Sequence, residues 1–221
     1  MRVLLTLLLT FAGAAYSFRE AAAGTPQFWL GVSLPYLLLA ALALHQMWSD
    51  GTLVDLLKPR QGDLSIGAIS MIVLLFASWA ARRVLTPAGS PRQAWLFRIY
   101  LQLGNPEHLQ RSTAYTILIL LICAAEEIVW RGMVLGDLSE RFGRRAALPL
   151  SALAYGFGTL PTLWLLRDPV AGFNPLFVTA AVGCGLVWSF LALQFKRLPP
   201  VVISHMAFTY FTIVQFHLPG L

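Results

Sequence analysis

The chain has little charge and few residues that cross-link or bind metals. Only 12% of its 221 residues are charged, against about 25% in an average soluble domain, and it holds 2 cysteines and 4 histidines. Such scarcity of charge excludes an ordinary soluble domain. Cys123 and Cys184 both lie in apolar runs. We therefore expect small buried side chains there, and neither a disulfide nor a metal site.

Basic residues are also thinly distributed. The net charge of +6 is spread over many loops, whereas a nucleic-acid-binding protein concentrates its basic residues in one patch. Nucleic acid is therefore excluded as a partner. Scattered basic loops suit a protein whose loops meet anionic lipid headgroups, although they are too evenly divided to predict a membrane orientation.

Apolar residues dominate the chain, at 57% of the total. About 20 consecutive apolar residues are needed to span a bilayer as a helix. We therefore predict an all-α polytopic integral membrane bundle of about seven transmembrane helices, with kinks at Pro35 and Pro161. The predicted segments are Val3–Phe18, Phe28–Trp48, Ile66–Ala81, Tyr115–Leu135, Ala146–Leu166, Pro175–Phe195 and Val201–Phe216.

The first segment has a second interpretation. A basic Arg2, an apolar run and the small residues 12–15 also resemble a signal peptide. Because more membrane segments follow and no soluble domain does, we expect the first helix to be retained. We predict one integral membrane domain, with amino-terminal helices and a linker in residues 1–112 and a core in residues 113–221.

The linker from Ala81 to Ser112 differs from the rest of the chain. It mixes five arginines with aromatic and aliphatic residues, including Trp95, Phe97 and Tyr100. This mixture predicts an amphipathic helix lying along the membrane interface. The alternative is a solvated connection with an incidental aromatic cluster.

Three ionisable residues lie inside one apolar segment. Glu126, Glu127 and Arg131 interrupt the run from Thr113 to Leu135. Each costs at least ~2.5–3.5 kcal/mol at bilayer depth. Glu127 and Arg131 are i, i+4 partners on a helix, whereas Glu126 is rotated by about 100° and has no partner on its own helix. This pattern predicts that Arg131 neutralises Glu127 and that Glu126 is available as a general base or acid. The alternative is a purely structural ion-pair lock between helices.

A second polar pair lies near the carboxy terminus. His205 and Thr209 are i, i+4 on the last predicted helix. A lone histidine on an apolar helix is commonly a packing residue, but the glutamates earlier in the chain favour a shared polar site.

These residues resemble a known family. The stretch Glu126–Gly132 (EEIVWRG) matches the EExx(F/W/Y)RG signature of the CAAX-protease and bacteriocin-processing family, also called the CPBP or Abi family. The following stretches are similar to that family as well: Leu138–Gly143, the glycine-spaced Val182–Trp188, and the approach to the last histidine at Lys196–His205. The resemblance covers roughly half of the chain, from Thr113 to Phe216.

The resemblance implies an intramembrane endopeptidase of the glutamate type. Glu126 would activate a water with help from a histidine on the next helix, and Glu127 and Arg131 would organise the site. His205 and an asparagine one turn later would stabilise the oxyanion.

The chain departs from this family pattern at two positions. The FxxxH motif falls on Tyr155–Thr159, which places Thr159 where the water-activating histidine belongs. The HxxxN motif falls on His205 and Thr209, so threonine replaces asparagine. Thr159 can bind a water but cannot share its proton near neutral pH. Thr209 can still donate a hydrogen bond. With few candidate ligands near Glu126, we predict no metal and no cofactor.

We therefore predict an intramembrane endopeptidase that cleaves a membrane-associated or lipid-anchored protein, or a C-terminal sorting segment. The alternatives are a non-catalytic relative acting as a scaffold, and a bacteriocin-immunity accessory protein. Besides the lipid bilayer, the expected partner is a membrane-anchored protein or peptide substrate, in the inner (cell) membrane of a prokaryote by analogy with the family. The sequence leaves the oligomeric state open.

Overall fold

The computed structural model describes residues 1–215, and helices make up most of them. Phe216, at the end of the seventh predicted segment, and His217 lie outside the described residues. The helices are α1 (Arg2–Ser17), α2 (Pro26–Ser49), α3 (Leu53–Leu57), α4 (Asp63–Leu85), α5 (Gln93–Leu103), α6 (Pro106–Arg111), α7 (Thr113–Glu127), α8 (Leu135–Gly158), α9 (Thr162–Leu165), α10 (Leu176–Phe195) and α11 (Pro199–Thr209). Two π-helical stretches, Ile128–Val134 and Tyr210–Gln215, extend α7 and α11.

Within residues 1–215 the all-α prediction is confirmed, and three helices in that range are long and apolar enough to cross a membrane. These are α2, α4 and α10. The helix α4 leaves Ile72 and Phe76 more than half exposed, as expected for side chains that face lipid. Among the shorter apolar helices, α1 has 16 residues, which spans about 24 Å at 1.5 Å per residue. The total of seven transmembrane helices therefore remains a prediction.

Two predicted segments differ from the observed helices. The fourth was expected to be a single α-helix, but α7 changes to π-helical geometry directly after Glu127. The fifth was expected to run to Leu166 through a kink at Pro161, and this prediction is wrong. The helix α8 ends at Gly158, where the chain tightens into turns and Pro161 comes to precede α9. Because proline has no N–H, it fits such a turn better than a helix interior.

The helices around the polar core approach closely at small residues. A Cβ placed on Gly158 of α8 would lie 2.8 Å from the Thr10 hydroxyl of α1. A Cβ on Gly185 of α10 would lie 3.1 Å from the Ala152 Cα of α8. Small residues of this kind allow membrane helices to pack backbone to backbone. They bring α1, α8 and α10 together around the site.

The linker does contain the expected helix, α5, and its side chains and backbone bind the loop before α10. The Trp95 indole N–H donates to the Gly172 carbonyl at 3.3 Å, and the buried Asn174 amide donates to the Trp95 carbonyl at 2.9 Å. Arg98 pairs with Asp168 at 3.4 Å. The position of α5 along the membrane interface remains a prediction.

Candidate active site

Glu127 lies at the centre of a fully buried polar cluster. Its Oε1 atom is 3.2 Å from Arg131 Nη1 and 2.7 Å from His205 Nδ1. The Glu127 side chain is 0% exposed. The i, i+4 pair predicted from the sequence is therefore present, and α11 adds a histidine to it. Two helices far apart in the sequence are joined through one carboxylate oxygen.

Arg131 is held on several sides. Its Nη2 atom donates to the Gly185 carbonyl of α10 at 3.4 Å. Its guanidinium carbon lies 4.8 Å from the centre of the Tyr155 ring and 5.3 Å from that of Trp188. Aromatic faces stabilise a cation that has lost its hydration. The carboxylate of Glu127 and these rings together make a buried charge tolerable at this depth.

The His205 ring has a fixed orientation. It stacks on the Trp188 indole with ring centres 3.9 Å apart and planes inclined by 25°. The Trp188 indole N–H in turn donates to the Ser204 hydroxyl at 3.2 Å. Because Nδ1 is engaged by Glu127, Nε2 is the ring nitrogen that remains for other partners.

Glu126 has different surroundings from its neighbour. Its Oε2 atom accepts a hydrogen bond from the Tyr155 hydroxyl of α8 at 2.5 Å. Among the described residues no cation forms an ion pair with it. The sequence correctly predicted that Glu126 has no partner on its own helix, but it did not predict the tyrosine on the neighbouring helix.

A cavity of about 180 Å³ lies in front of Glu126. This volume has room for several water molecules. Four of the six predicted site residues line it, namely Glu126, Thr159, His205 and Thr209. The other two, Glu127 and Arg131, lie outside its wall. The remaining wall is largely apolar and aromatic, including Phe18, Phe28, Trp29, Leu103, Phe177 and Ile213.

The two threonines occupy the cavity wall differently. The Thr159 hydroxyl donates to the Gly156 carbonyl of its own helix at 2.9 Å. It is therefore not directed at Glu126, and for a cavity water it can act only as an acceptor. Thr209 lies one turn after His205 on α11, where it lines the cavity beside the imidazole.

The signature residues Trp130 and Gly132 have packing roles that sequence reasoning left unassigned. Trp130 is completely buried, and its indole N–H donates to the Tyr36 hydroxyl of α2 at 3.5 Å. A Cβ on Gly132 would lie 2.2 Å from the Met47 methyl group, so glycine allows α2 to approach. The positions of Tyr36 and Tyr155 relative to the glutamates follow no helical spacing that would have predicted their contacts. Tyr155 could have been noticed as a tyrosine at the first position of FxxxH.

Metal ligands are scarce around this site. Within residues 1–215 no group of three or more histidine, cysteine, aspartate or glutamate side chains is placed to hold a metal ion. Glu127 is already bound to Arg131 and His205, and His45 lies exposed on α2 away from the cavity. The side chains present therefore do not fit a catalytic zinc site, which uses three protein ligands.

Fold and site together define a class: a helical membrane protein with a buried glutamate–arginine–histidine cluster beside a cavity that has room for several water molecules. Residues 109–211 match a family described as "Type II CAAX prenyl endopeptidase Rce1-like". This match confirms the resemblance to the family that the sequence motifs indicated. The match contains α7 to α11 and all six predicted site residues. No curated protein and no solved structure was found to match the chain.

Proposed function

We propose that the protein is an intramembrane peptidase that hydrolyses a peptide bond with a water activated by Glu126. The observation that carries this proposal is the shared cavity. The Glu126 carboxylate and the His205 imidazole line the same 180 Å³ space, although 79 positions separate them in the chain. An isolated carboxylate beside a fixed imidazole is a suitable arrangement for acid–base chemistry.

In the first step, Glu126 acts as the general base. Its Oε1 oxygen takes a proton from a cavity water while the water oxygen attacks the scissile carbonyl carbon. The resulting tetrahedral intermediate carries the negative charge on the former carbonyl oxygen. The protonated Glu126 then delivers the proton to the leaving nitrogen as the carbon–nitrogen bond breaks, which regenerates the carboxylate.

In this mechanism His205 and Thr209 stabilise the oxyanion. When the His205 ring is protonated, Glu126, Glu127, Arg131 and His205 together carry no net charge, the least costly arrangement in a medium of low dielectric. With Nδ1 bound to Glu127, the Nε2–H group can then donate to the oxyanion. The Thr209 hydroxyl, one turn along the same helix, is the second donor.

Glu127 and Arg131 act through His205 and not on the substrate. Both lie outside the cavity; Glu127 holds the imidazole by its Nδ1 atom, and Arg131 holds Glu127. A carboxylate on Nδ1 fixes the orientation of a histidine ring, as in other catalytic sites that pair histidine with a carboxylate. Their role is therefore to position the imidazole.

The apolar composition of the cavity wall favours an apolar substrate. Aromatic and aliphatic side chains surround the polar end, and the chain lies in a membrane. We therefore propose a membrane-associated or lipid-anchored protein, or a C-terminal sorting segment, as the substrate. By analogy with the family we place the enzyme in the cell membrane of a prokaryote.

The proposal can be tested on the full chain purified in detergent micelles. The probe is a fluorescence-quenched peptide that ends in a farnesylated cysteine followed by three residues, compared with the same peptide without the farnesyl group. Glu126→Gln should lower the turnover rate by about 10²–10⁴-fold, because it removes the general base but keeps the side-chain shape. Glu20→Gln, which removes an exposed carboxylate on the short 3₁₀ turn between α1 and α2, is the matched control.

The same proposal can be tested in cells without a known substrate. Membranes from cells that express the wild-type chain or Glu126→Gln are compared for new protein termini, identified by mass spectrometry. Termini present only with the wild type support the proposal and identify substrates. If Glu126→Gln behaves as the wild type in both settings while deletion of the gene has an effect, the protein is a non-catalytic member of its family.

A further inference from the structure

Tyr155 connects α8 to the proposed general base. Its hydroxyl donates to Glu126 Oε2 at 2.5 Å, a short distance for a hydrogen bond to a carboxylate oxygen. Within the described part of the chain no other side chain hydrogen-bonds to Glu126. This contact is therefore the principal restraint on the carboxylate, and it comes from a residue outside the signature motif.

The Tyr155 ring is firmly held in place. Only 7% of the residue is exposed. The Trp130 ring lies 5.4 Å away on one side, and the Arg131 guanidinium carbon lies 4.8 Å from the ring centre. A Cβ on Gly185 would lie 3.4 Å from Tyr155 Cδ1, so α10 also packs closely against the ring. A ring enclosed on these sides can hold its hydroxyl at a constant position.

Two other polar side chains that line the cavity, those of Thr159 and His205, are already engaged. The Thr159 hydroxyl proton is donated to the Gly156 carbonyl, and His205 Nδ1 is bound to Glu127. Neither side chain orients Glu126. Thr159 stands at the position of the family's water-activating histidine, but its hydroxyl bonds its own backbone. The Tyr155 hydroxyl, four residues earlier, contacts Glu126 instead.

We propose that Tyr155 is the positioning residue of the general base. By holding Oε2 it leaves Oε1 to take the proton from water, and it thereby supplies part of the orientation that a histidine at position 159 would otherwise provide. This inference rests on the proposed peptidase function. No proton leaves the tyrosine: when Oε1 is protonated, Oε2 becomes the carbonyl oxygen and still accepts from the phenol.

The direct test is Tyr155→Phe, which removes one oxygen and keeps the ring contacts with Trp130 and Arg131. With the farnesylated peptide, kcat should fall by about 10- to 100-fold at unchanged KM, because hydrogen bonds to charged groups are among the stronger ones. Tyr16→Phe, on an exposed tyrosine of α1, is the matched control.

A double-mutant cycle separates positioning from general packing. Thr159→His is introduced into the wild type and into Tyr155→Phe. If both side chains serve the same carboxylate, the new histidine should raise kcat by a larger factor when the phenol is absent. An equal factor in both backgrounds would mean that Tyr155 and position 159 act independently, and it would overturn the inference.

An infrared measurement tests the contact without any substrate. The chain is labelled with ¹³C-glutamate, and the carboxyl bands that disappear in Glu126→Gln are assigned to that residue. These bands should shift in Tyr155→Phe and stay unchanged in Tyr16→Phe. Unshifted bands together with an unchanged kcat, in an enzyme that Glu126→Gln inactivates, would overturn the positioning role and leave the proposed function intact. Shifted bands in a protein that hydrolyses no peptide would instead overturn the proposed function.

Discussion

Glu126 and Glu127 are adjacent in the sequence, yet they lie in opposite environments. Glu127 is enclosed with Arg131 and His205, and Glu126 borders a cavity and accepts a hydrogen bond from one tyrosine. The rotation of about 100° between neighbouring helical residues is enough to separate them. One carboxylate is therefore part of a buried ion-pair cluster, and the other faces the cavity, where we propose that it acts as the general base.

The negative charges of Glu127 and Glu126 are stabilised by different neighbours. Arg131 neutralises Glu127 directly, and a buried ion pair tolerates its desolvation only with such close partners. Glu126 has a cavity large enough for water and a hydroxyl donor instead. The first arrangement gives rigidity. The second keeps a carboxylate in contact with the molecule it is proposed to activate.

The largest expected difference between the two glutamates is in how much each contributes to the free energy of unfolding. Glu127→Gln should lower the free energy of unfolding by about 3–5 kcal/mol, because Arg131 and His205 lose their shared counter-charge in a buried site. Glu126→Gln should lower it by less than about 1.5 kcal/mol, since it weakens one hydrogen bond. Unfolding of the purified chain by sodium dodecyl sulfate in mixed micelles, followed by circular dichroism, measures both. Equal losses in the two variants would contradict the division between a structural and a reactive glutamate.

The sequence predicts one part of this division well. The i, i+4 spacing of Glu127 and Arg131 is a local property of a helix, and the pair is present as expected. The polar cluster in an apolar segment also indicates the site, because charge at this depth is costly. Local spacing and solvation therefore suffice to find the glutamates.

Contacts between distant helices could not be predicted in the same way. The Tyr155 hydroxyl meets Glu126 across 29 positions, and Trp188 stacks on His205 through the packing of α10 on α11. Neither has a spacing signal. The change to π-helical geometry at Ile128 also went unpredicted, because it depends on how the segment packs and has no sequence rule of its own.

A second difference is expected between the two threonines of the cavity. Thr209→Val should lower kcat on the order of 10²-fold, because it removes a proposed oxyanion donor without changing the side-chain shape. Thr159→Val should cost less than about 10-fold, since its hydroxyl proton is already donated to the Gly156 carbonyl. Turnover of the farnesylated peptide compares them. A larger loss for Thr159→Val would assign the water-binding role to that position and would contradict the arrangement described above.

The smallest expected effect is on stability and concerns α10, whose Gly185 carbonyl binds Arg131. The Gly185 carbonyl accepts a hydrogen bond from the Arg131 guanidinium, and Gly185 lies against Ala152. Gly183, on the same helix, has open space where a Cβ would be. Gly185→Ala should therefore lower the free energy of unfolding by about 1–3 kcal/mol through overpacking against α8. Gly183→Ala should change it by less than about 1 kcal/mol in either direction, because it adds helix propensity and meets no neighbour. The same unfolding measurement distinguishes them. Equal effects would show that α8 and α10 can separate without loss, and that the buried cluster does not depend on their close contact.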